Sequence, residues 1–299
     1  MRKAIVVLFA MILCVWLLSS CNSKDNTTAV TTSDAYSTVS SGKTAQTGTT
    51  ANAESTAQQF TSAVSISAEE TTVNAQPSTT AEIVSLFNKA ANRVKLTKPG
   101  YQFTTKANAD EKNIIISQNV PLHSFISKFI ASKINSTKAD LVTVKKGENH
   151  DAYPVKGETW ASKLEATALK SASCADKGSC FEIVLKFNDE KLKALPDNPE
   201  TTAHGKAFSL LLSKDFTNAF GGFDVNLLGL KVGVENQKFE PTYRGSYIKC
   251  KIDKAGNMMN ALYYLNTYSI VDMLVTVNSK DYIIGITMVY SVTEEYTFN

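Results

Sequence analysis

Five cysteines and three histidines hold most of the reactive chemistry in this chain. Cys174 and Cys180 flank the turn-rich stretch Ala-Asp-Lys-Gly-Ser between two strand-like runs. Pairing them across a hairpin also pairs Ser173 with Phe181, Ser171 with Ile183 and Leu169 with Leu185. That register keeps the aliphatic side chains on one face and both sulfurs on the other, so the two residues read either as a hairpin-closing disulfide or as free thiols. Their spacing lacks the close pair and further ligands of a zinc site. Cys250 alternates with Ile248 and Ile252 and reads as a small core residue. His123 lies at the edge of an apolar helical stripe, while His150 and His204 lie in polar, loop-like segments. The three share no motif, and no nucleophile elbow, metalloprotease helix or nucleotide-binding glycine loop occurs. Glu294 and Glu295 would face opposite ways on a strand, which is wrong for paired acid and base work. The expectation is a protein with no catalytic residues, no metal and no cofactor.

Cys21 differs from the others because of what precedes it. Arg2 and Lys3 lead into an apolar core from Ala4 to Leu18, shorter than a comfortable membrane span and matched to the core of a secretory signal. The sequence Leu18-Ser19-Ser20-Cys21 follows. It resembles the bacterial lipobox at all four positions. The resemblance implies cleavage before Cys21 and a diacylglyceryl thioether on its sulfur, with further acylation anchoring the chain to a membrane. Two or more acyl chains matter, since one alone binds only marginally. Residues 1–20 are then a lipoprotein signal peptide. Removing Arg2 and Lys3 leaves 29 of the 31 bases against 28 acids, a nearly neutral chain with no basic block for nucleic acid.

Residues 21–78 read as the lipidated N-terminus and a Ser/Thr-rich linker that cannot bury enough surface to order itself. As a flexible coil it spans roughly 40 Å on average and about 200 Å pulled straight, the scale of a cell-wall layer. Such a tether after a lipidated cysteine resembles Gram-positive surface lipoproteins.

Residues 79–299 read as a single α+β globular domain. Thr79-Thr80-Ala81-Glu82 fits a capping box opening a helix whose stripe is Ile83, Leu86, Phe87, Ala90 and Val94. Two short extended runs, 101–106 and 113–117, should flank a turn at Asn108-Ala109-Asp110. A second helix should open at Pro121, with Phe125, Ile126, Phe129, Ile130 and Ile134 on one stripe, and a third should run from Phe208 to Phe220. Strands are expected at 163–173 and 180–188, then a C-terminal meander of 247–253, 258–268, 271–277 and 282–297. The fold predicted is a curved antiparallel sheet, half-barrel-like, covered by two or three helices. The block from Phe87-Asn88-Lys89 through Tyr153-Pro154-Val155-Lys156-Gly157 to the meander resembles uncharacterised lipoproteins of clostridial-type bacteria, a likeness that implies no activity.

The run Ile283 to Tyr290 is apolar at both strand parities, so both faces should be covered or should line a dry cavity. Tyr264, Met273, Ile286 and Met288 would line that cavity. The expected function is a membrane-anchored, extracytoplasmic, non-catalytic binding or structural module. Its partners would be the membrane, through the anchor, and cell-wall material or a hydrophobic ligand. One alternative is a carrier of lipids or other apolar ligands. A second is a cell-wall hydrolase, which needs a nucleophile with a base, or two carboxylates, in one cleft.

Overall fold

A helix that carries its own start signal opens the folded part. Thr79 Oγ1 accepts from the Glu82 N–H at 3.2 Å, and the Glu82 carboxylate accepts in return from the N–H groups of Thr79 and Ser78 at 3.0 and 2.9 Å. This is the expected capping box, and hydrogen bonds led by the one from the Thr79 backbone hold the Glu82 carboxyl down at about 2. Helix α1, Thr80–Thr97, buries Ile83, Leu86, Phe87, Ala90 and Val94 and ends on Lys98 in the left-handed region. The computed structural model describes residues 75–117, 123–136, 138–148, 151–215, 225–227, 230–277 and 280–299. Cys21, the signal segment and all but the last residues of the linker lie outside them.

After α1 come β1 (Tyr101–Ile116), α2 (His123–Ser136), β2 (Lys138–Val144), β3 (Leu169–Asp176), β4 (Cys180–Phe187) and the two-residue β5 (Glu190–Lys191). Strands β6 (Val225–Leu227), β7 (Leu230–Tyr243), β8 (Tyr247–Asp253), β9 (Met258–Val277) and β10 (Lys280–Phe298) complete the sheet. All described pairings are antiparallel, in the order β2-β1-β10-β9-β8-β4-β3. The sheet is open, with few helices, as an α+β curved sheet should be. Its long central strand forks it. The Met258–Tyr264 part of β9 pairs with β8, and the Thr267–Val277 part pairs with β7, which also carries β5 and β6.

Because the β9–β10 register is unbroken, side-chain parity is constant along both strands. On β10, Ile284, Ile286, Met288 and Tyr296 point to the helix side, and the residues between them point away. Two cores lie on that one face. The first packs α1 on β3, β4, β8 and the Tyr263 end of β9, around Phe87, Phe181, Leu185 and Ile248. The second packs α2 on β1, β7, β9 and β10, around Ile130, Ile134, Ile114 and Val271.

Several elements differ from the sequence expectation. The two runs around Asn108 are one strand, β1, with an irregularity between Ala109 and Ile114, both of which pack in the second core. Asn135 of α2 stabilises that point by accepting from the Ala109 N–H and donating to its carbonyl, at 2.7 and 2.9 Å. Likewise 258–268 and 271–277 are one strand, since no turn residue separates them and β10 pairs throughout. Residues 163–168 are not strand. They are held to α1 by Asn88, which donates to the Leu164 carbonyl, and by Asn92, which brackets Ser162. Phe208–Leu212 is irregular and helical geometry starts only at Ser213; Phe216 and Phe220 lie outside the described residues, as does Pro121.

Candidate functional site

The cysteine pair is the clearest correction. β3 and β4 pair Asp176 with Phe181 and Cys174 with Ile183, while Cys180 pairs with Asp253 of β8. The tight turn sets this register. Asp176 Oδ1 accepts from the Gly178 N–H at 2.8 Å, and Gly178 takes a φ of 81°, which glycine adopts without strain. The register differs by an odd number from the one that aligns the sulfurs, so Cys174 faces the helices and Cys180 faces the other way. Both are free thiols, as is Cys250, and burial pushes the Cys174 and Cys250 thiols up. Cys250 is the core residue expected, 4% exposed.

The four residues expected to line an apolar pocket also separate. Met273, Ile286 and Met288 are packed in the second core beneath α2. Tyr264, of opposite parity on β9, stands on the helix-free face with its ring 4.9 Å from that of Tyr247. Of the expected two-sided cover, the helix side alone holds: Ile284 is buried and Ile283 is 62% exposed.

Two clusters on the helix side could do acid–base chemistry by residue type. The first was not foreseen. His204 is fully buried against the rings of Phe187, Phe208 and Tyr243, with centroids 4.9 to 5.8 Å away. Its Nδ1 lies 2.8 Å from Oε2 of Glu190, and that carboxylate also accepts the backbone N–H groups of Ala203 and His204 at 2.8 and 2.9 Å. Burial raises the Glu190 carboxyl, but the His204 side chain and these N–H groups outweigh it and hold it below the usual range. The imidazole has no exposed surface, so the pair clamps the 199–208 loop onto the sheet and meets no substrate in this conformation. No sequence spacing marks it; partners 14 residues apart, one on β5 and one in a loop, fit no motif.

The second cluster is aromatic. Tyr101, Tyr153, Tyr263 and Tyr296 are buried together, and the Tyr153 and Tyr263 hydroxyls lie 3.2 Å apart. The Tyr296 hydroxyl sits 3.1 Å from Oε2 of Glu294 and 3.1 Å from the Ala152 carbonyl. Burial pushes the Glu294 carboxyl up to about 7, against the pull of the Tyr296 hydroxyl and Lys156. As parity foretold, Glu295 faces the opposite way. The signal for Glu294 was present in the sequence, a carboxylate in phase with Tyr290, Val292 and Tyr296 of a buried face.

The face that no helix covers among the described residues, the helix-free face, is the accessible candidate. Registers align Gln102, Thr297, Asn260, Lys251 and Glu182 in one row across it. The next row is Thr104, Glu295, Leu262, Lys249 and Val184, and the third is Lys106, Thr293, Tyr264, Tyr247 and Lys186. The β4, β8, β9 and β10 members of the first two rows line an open groove of about 460 Å³. Lys251 pairs with Glu182 at 3.0 Å and holds that carboxylate low. Lys249 lies over the Tyr247 ring at 5.0 Å, and Arg244 over Tyr268 at 5.1 Å. Lys106, Lys186, Arg244 and Lys249 enter no ion pair among the described residues. Glu295 is likewise unpaired, and the face carries a surplus of positive charge over hydroxyl, amide and aromatic groups. No cluster of three or more metal-ligating side chains occurs among the described residues. Compared with protein-family models, with curated proteins and with solved structures, the chain shows no significant match, so its function is argued from these sites alone.

Proposed function

We propose that the protein is an extracytoplasmic lipoprotein, tethered to the membrane through Cys21, whose helix-free sheet face is a non-catalytic binding surface for an anionic polysaccharide. One observation carries the ligand class: across this face Lys106, Lys186, Lys249 and Arg244 have no acidic partner among the described residues and are interleaved with hydroxyls, amides and tyrosine rings, and they outnumber the two carboxylates, Glu182 and Glu295, of the groove that Lys249 and Lys251 line. Carboxylate or phosphate groups of a glycan would take the charges of Lys106, Lys186, Lys249 and Arg244. Its hydroxyls would meet Thr104, Thr293, Thr297 and Asn260, and its apolar sugar edges Tyr264 and Leu262. An interior lipid-carrier reading has less support, since the residues that would line its cavity face different sides of the sheet.

Each half has its own test. Cys21→Ala is expected to move the protein from the membrane fraction to the medium or the soluble extracytoplasmic fraction; retention in the membrane would refute the anchor. For the face, polygalacturonate and neutral dextran serve as probes in affinity electrophoresis. The expected result is retardation by polygalacturonate alone, weakening as salt rises because the exposed charges are screened. In the double variant Lys186→Glu/Lys249→Glu it should fall about tenfold or more, the loss of roughly 1.4 kcal/mol. Equal retardation by both polymers, or an unchanged double variant, would sink the assignment.

A further inference from the structure

Tyr296 places one phenolic proton between two acceptors, and only one of them can have it. Oε2 of Glu294, two residues away on β10, and the carbonyl of Ala152, in the segment that crosses over the tyrosine cluster, are both 3.1 Å from the hydroxyl. That segment, residues 151–161, has no regular structure and is held by what it inserts. Tyr153 is fully buried among Tyr101, Tyr263 and Tyr296, and Val155 and Ala161 are buried beside α1. Its C-terminal end is fixed by Asn92 of α1, which accepts from the N–H groups of Ala161 and Ser162 at 2.8 and 2.9 Å. The N-terminal end has the Tyr296 hydroxyl on Ala152, the Lys95 ammonium on the Val155 carbonyl at 3.3 Å, and the Lys156 N–H on the Ser209 hydroxyl at 3.0 Å.

We infer that Glu294, Tyr296 and Ala152 form a proton-operated latch that locks the 151–155 end of this strap when the carboxyl is neutral and releases it when the carboxyl is charged. A neutral carboxyl is itself a donor. Its O–H can donate to Tyr296 Oη, leaving the phenolic proton to Ala152, so that each donor has one acceptor. An ionised carboxylate can only accept, and a hydrogen bond to a charged acceptor is about twice as strong as a neutral one. The carboxylate then takes the phenolic proton, and the Ala152 carbonyl loses its partner while facing a negative charge. Release would lift Tyr153 from its contacts with Tyr263 and Tyr296 and open the tyrosine cluster.

The surroundings of Glu294 set where the latch works. Directly opposite it are Thr105 of β1 and Tyr263 of β9. Lys156 of the strap favours the charged form and burial opposes it. The balance leaves the carboxyl titrating at about 7. Tyr101 lies within the field of both Glu294 and Asp151. Lys95 of α1 faces Asp151 and Glu158, and burial lowers it to about 8. Among the described residues it is the other strap anchor whose charge changes nearby.

Hydrogen exchange measured by mass spectrometry on the whole protein at about pH 5.5 and about pH 8.5, corrected for intrinsic rates, tests this. Protection of peptides spanning 151–161 is expected to fall about tenfold between the two, the worth of one lost hydrogen bond, while β9 peptides keep theirs. In Glu294→Gln the strap should stay protected at both pH values. In Tyr296→Phe it should be open at both, with intact β9 protection showing that the sheet remains folded. Strap protection that does not change with pH would overturn the latch. So would a pH response that survives in Glu294→Gln, which would make Lys95 the responsive group. Should Tyr296→Phe lose β9 protection as well, the Glu294→Gln comparison decides alone.

Discussion

Glu190→Ala is expected to cost about 3 kcal/mol of stability, the upper end of the range for leaving buried donors without their acceptor. The carboxylate accepts three donors at once, the N–H groups of Ala203 and His204 and the His204 ring, and the ring has no exposed surface from which to find water. Without Glu190, Nδ1 joins Nε2 as a buried nitrogen with no partner, and two loop N–H groups lose theirs. The damage should spread along the loop. Phe208 packs on Phe187 and His204, and Gly205 sits so close to the Pro199 carbonyl that an added Cβ would lie 2.2 Å from it. Hydrogen bonds hold the folded-state Glu190 carboxyl below its ordinary value, so the stability it provides is fully present above that ordinary value, 4.5, and is lost as pH falls through the lowered one. Urea unfolding at neutral pH should show the loss, and the variant should show a shallower acid decline than the parent. Glu190→Gln keeps one acceptor oxygen and should fall between them. A penalty for Glu190→Ala below about 1 kcal/mol, the scale of an ordinary surface change, would show that the loop is held by its aromatic packing alone.

The contrast between His204 and the capping box shows what the sequence made legible. Thr79, Glu82 and the stripe of α1 are neighbours along the chain, and local rules place them correctly. The alternation in β4 and β8 is equally local, and it put Phe181, Ile183, Leu185, Ile248 and Cys250 on the buried face. Registers are another matter. The β3–β4 pairing that separates Cys174 from Cys180 depends on the geometry of a few turn residues, and two registers satisfied the hydrophobic pattern nearly equally well. Strand β7 was not foreseen. Its register shifts between Asn236 and Lys238, which reverses alternation midway, and Pro241 argues locally against a strand. The candidate site was partly legible. Tyr264 stood out in the sequence as an apolar-cavity residue, and Lys249 only as a strand position alternating with Cys250. Their meeting in one face with Lys186 and Lys106 depends on the order β1-β10-β9-β8-β4, which no local pattern encodes.

At alkaline pH the largest expected effect has the opposite sign, because Glu294→Gln should stabilise the protein. The carboxyl of Glu294 is raised from its ordinary 4.5 to about 7, chiefly by burial. An acid whose folded value is raised binds more protons in the native state than in the unfolded chain between those two values. Stability therefore falls as pH rises through that window and stays reduced above about 7. At roughly 1.4 kcal/mol per unit, the ionised group costs about 3–4 kcal/mol at mildly alkaline pH. Glutamine removes the charge and keeps a donor for Tyr296 Oη, which leaves the phenolic proton on the Ala152 carbonyl. The variant should be more stable than the parent by about that amount near pH 8.5 and close to equal near pH 4.5, as read from urea midpoints across the range. A variant less stable at both ends would mean that the carboxylate is held by attractive contacts stronger than its burial. Glu190 and Glu294 thus act on opposite limbs of one stability profile, the first lost in acid and the second unfavourable in base. The maximum is set on the acid side of neutrality, where Glu190 is charged, Glu294 is neutral and the strap over Tyr153 is latched.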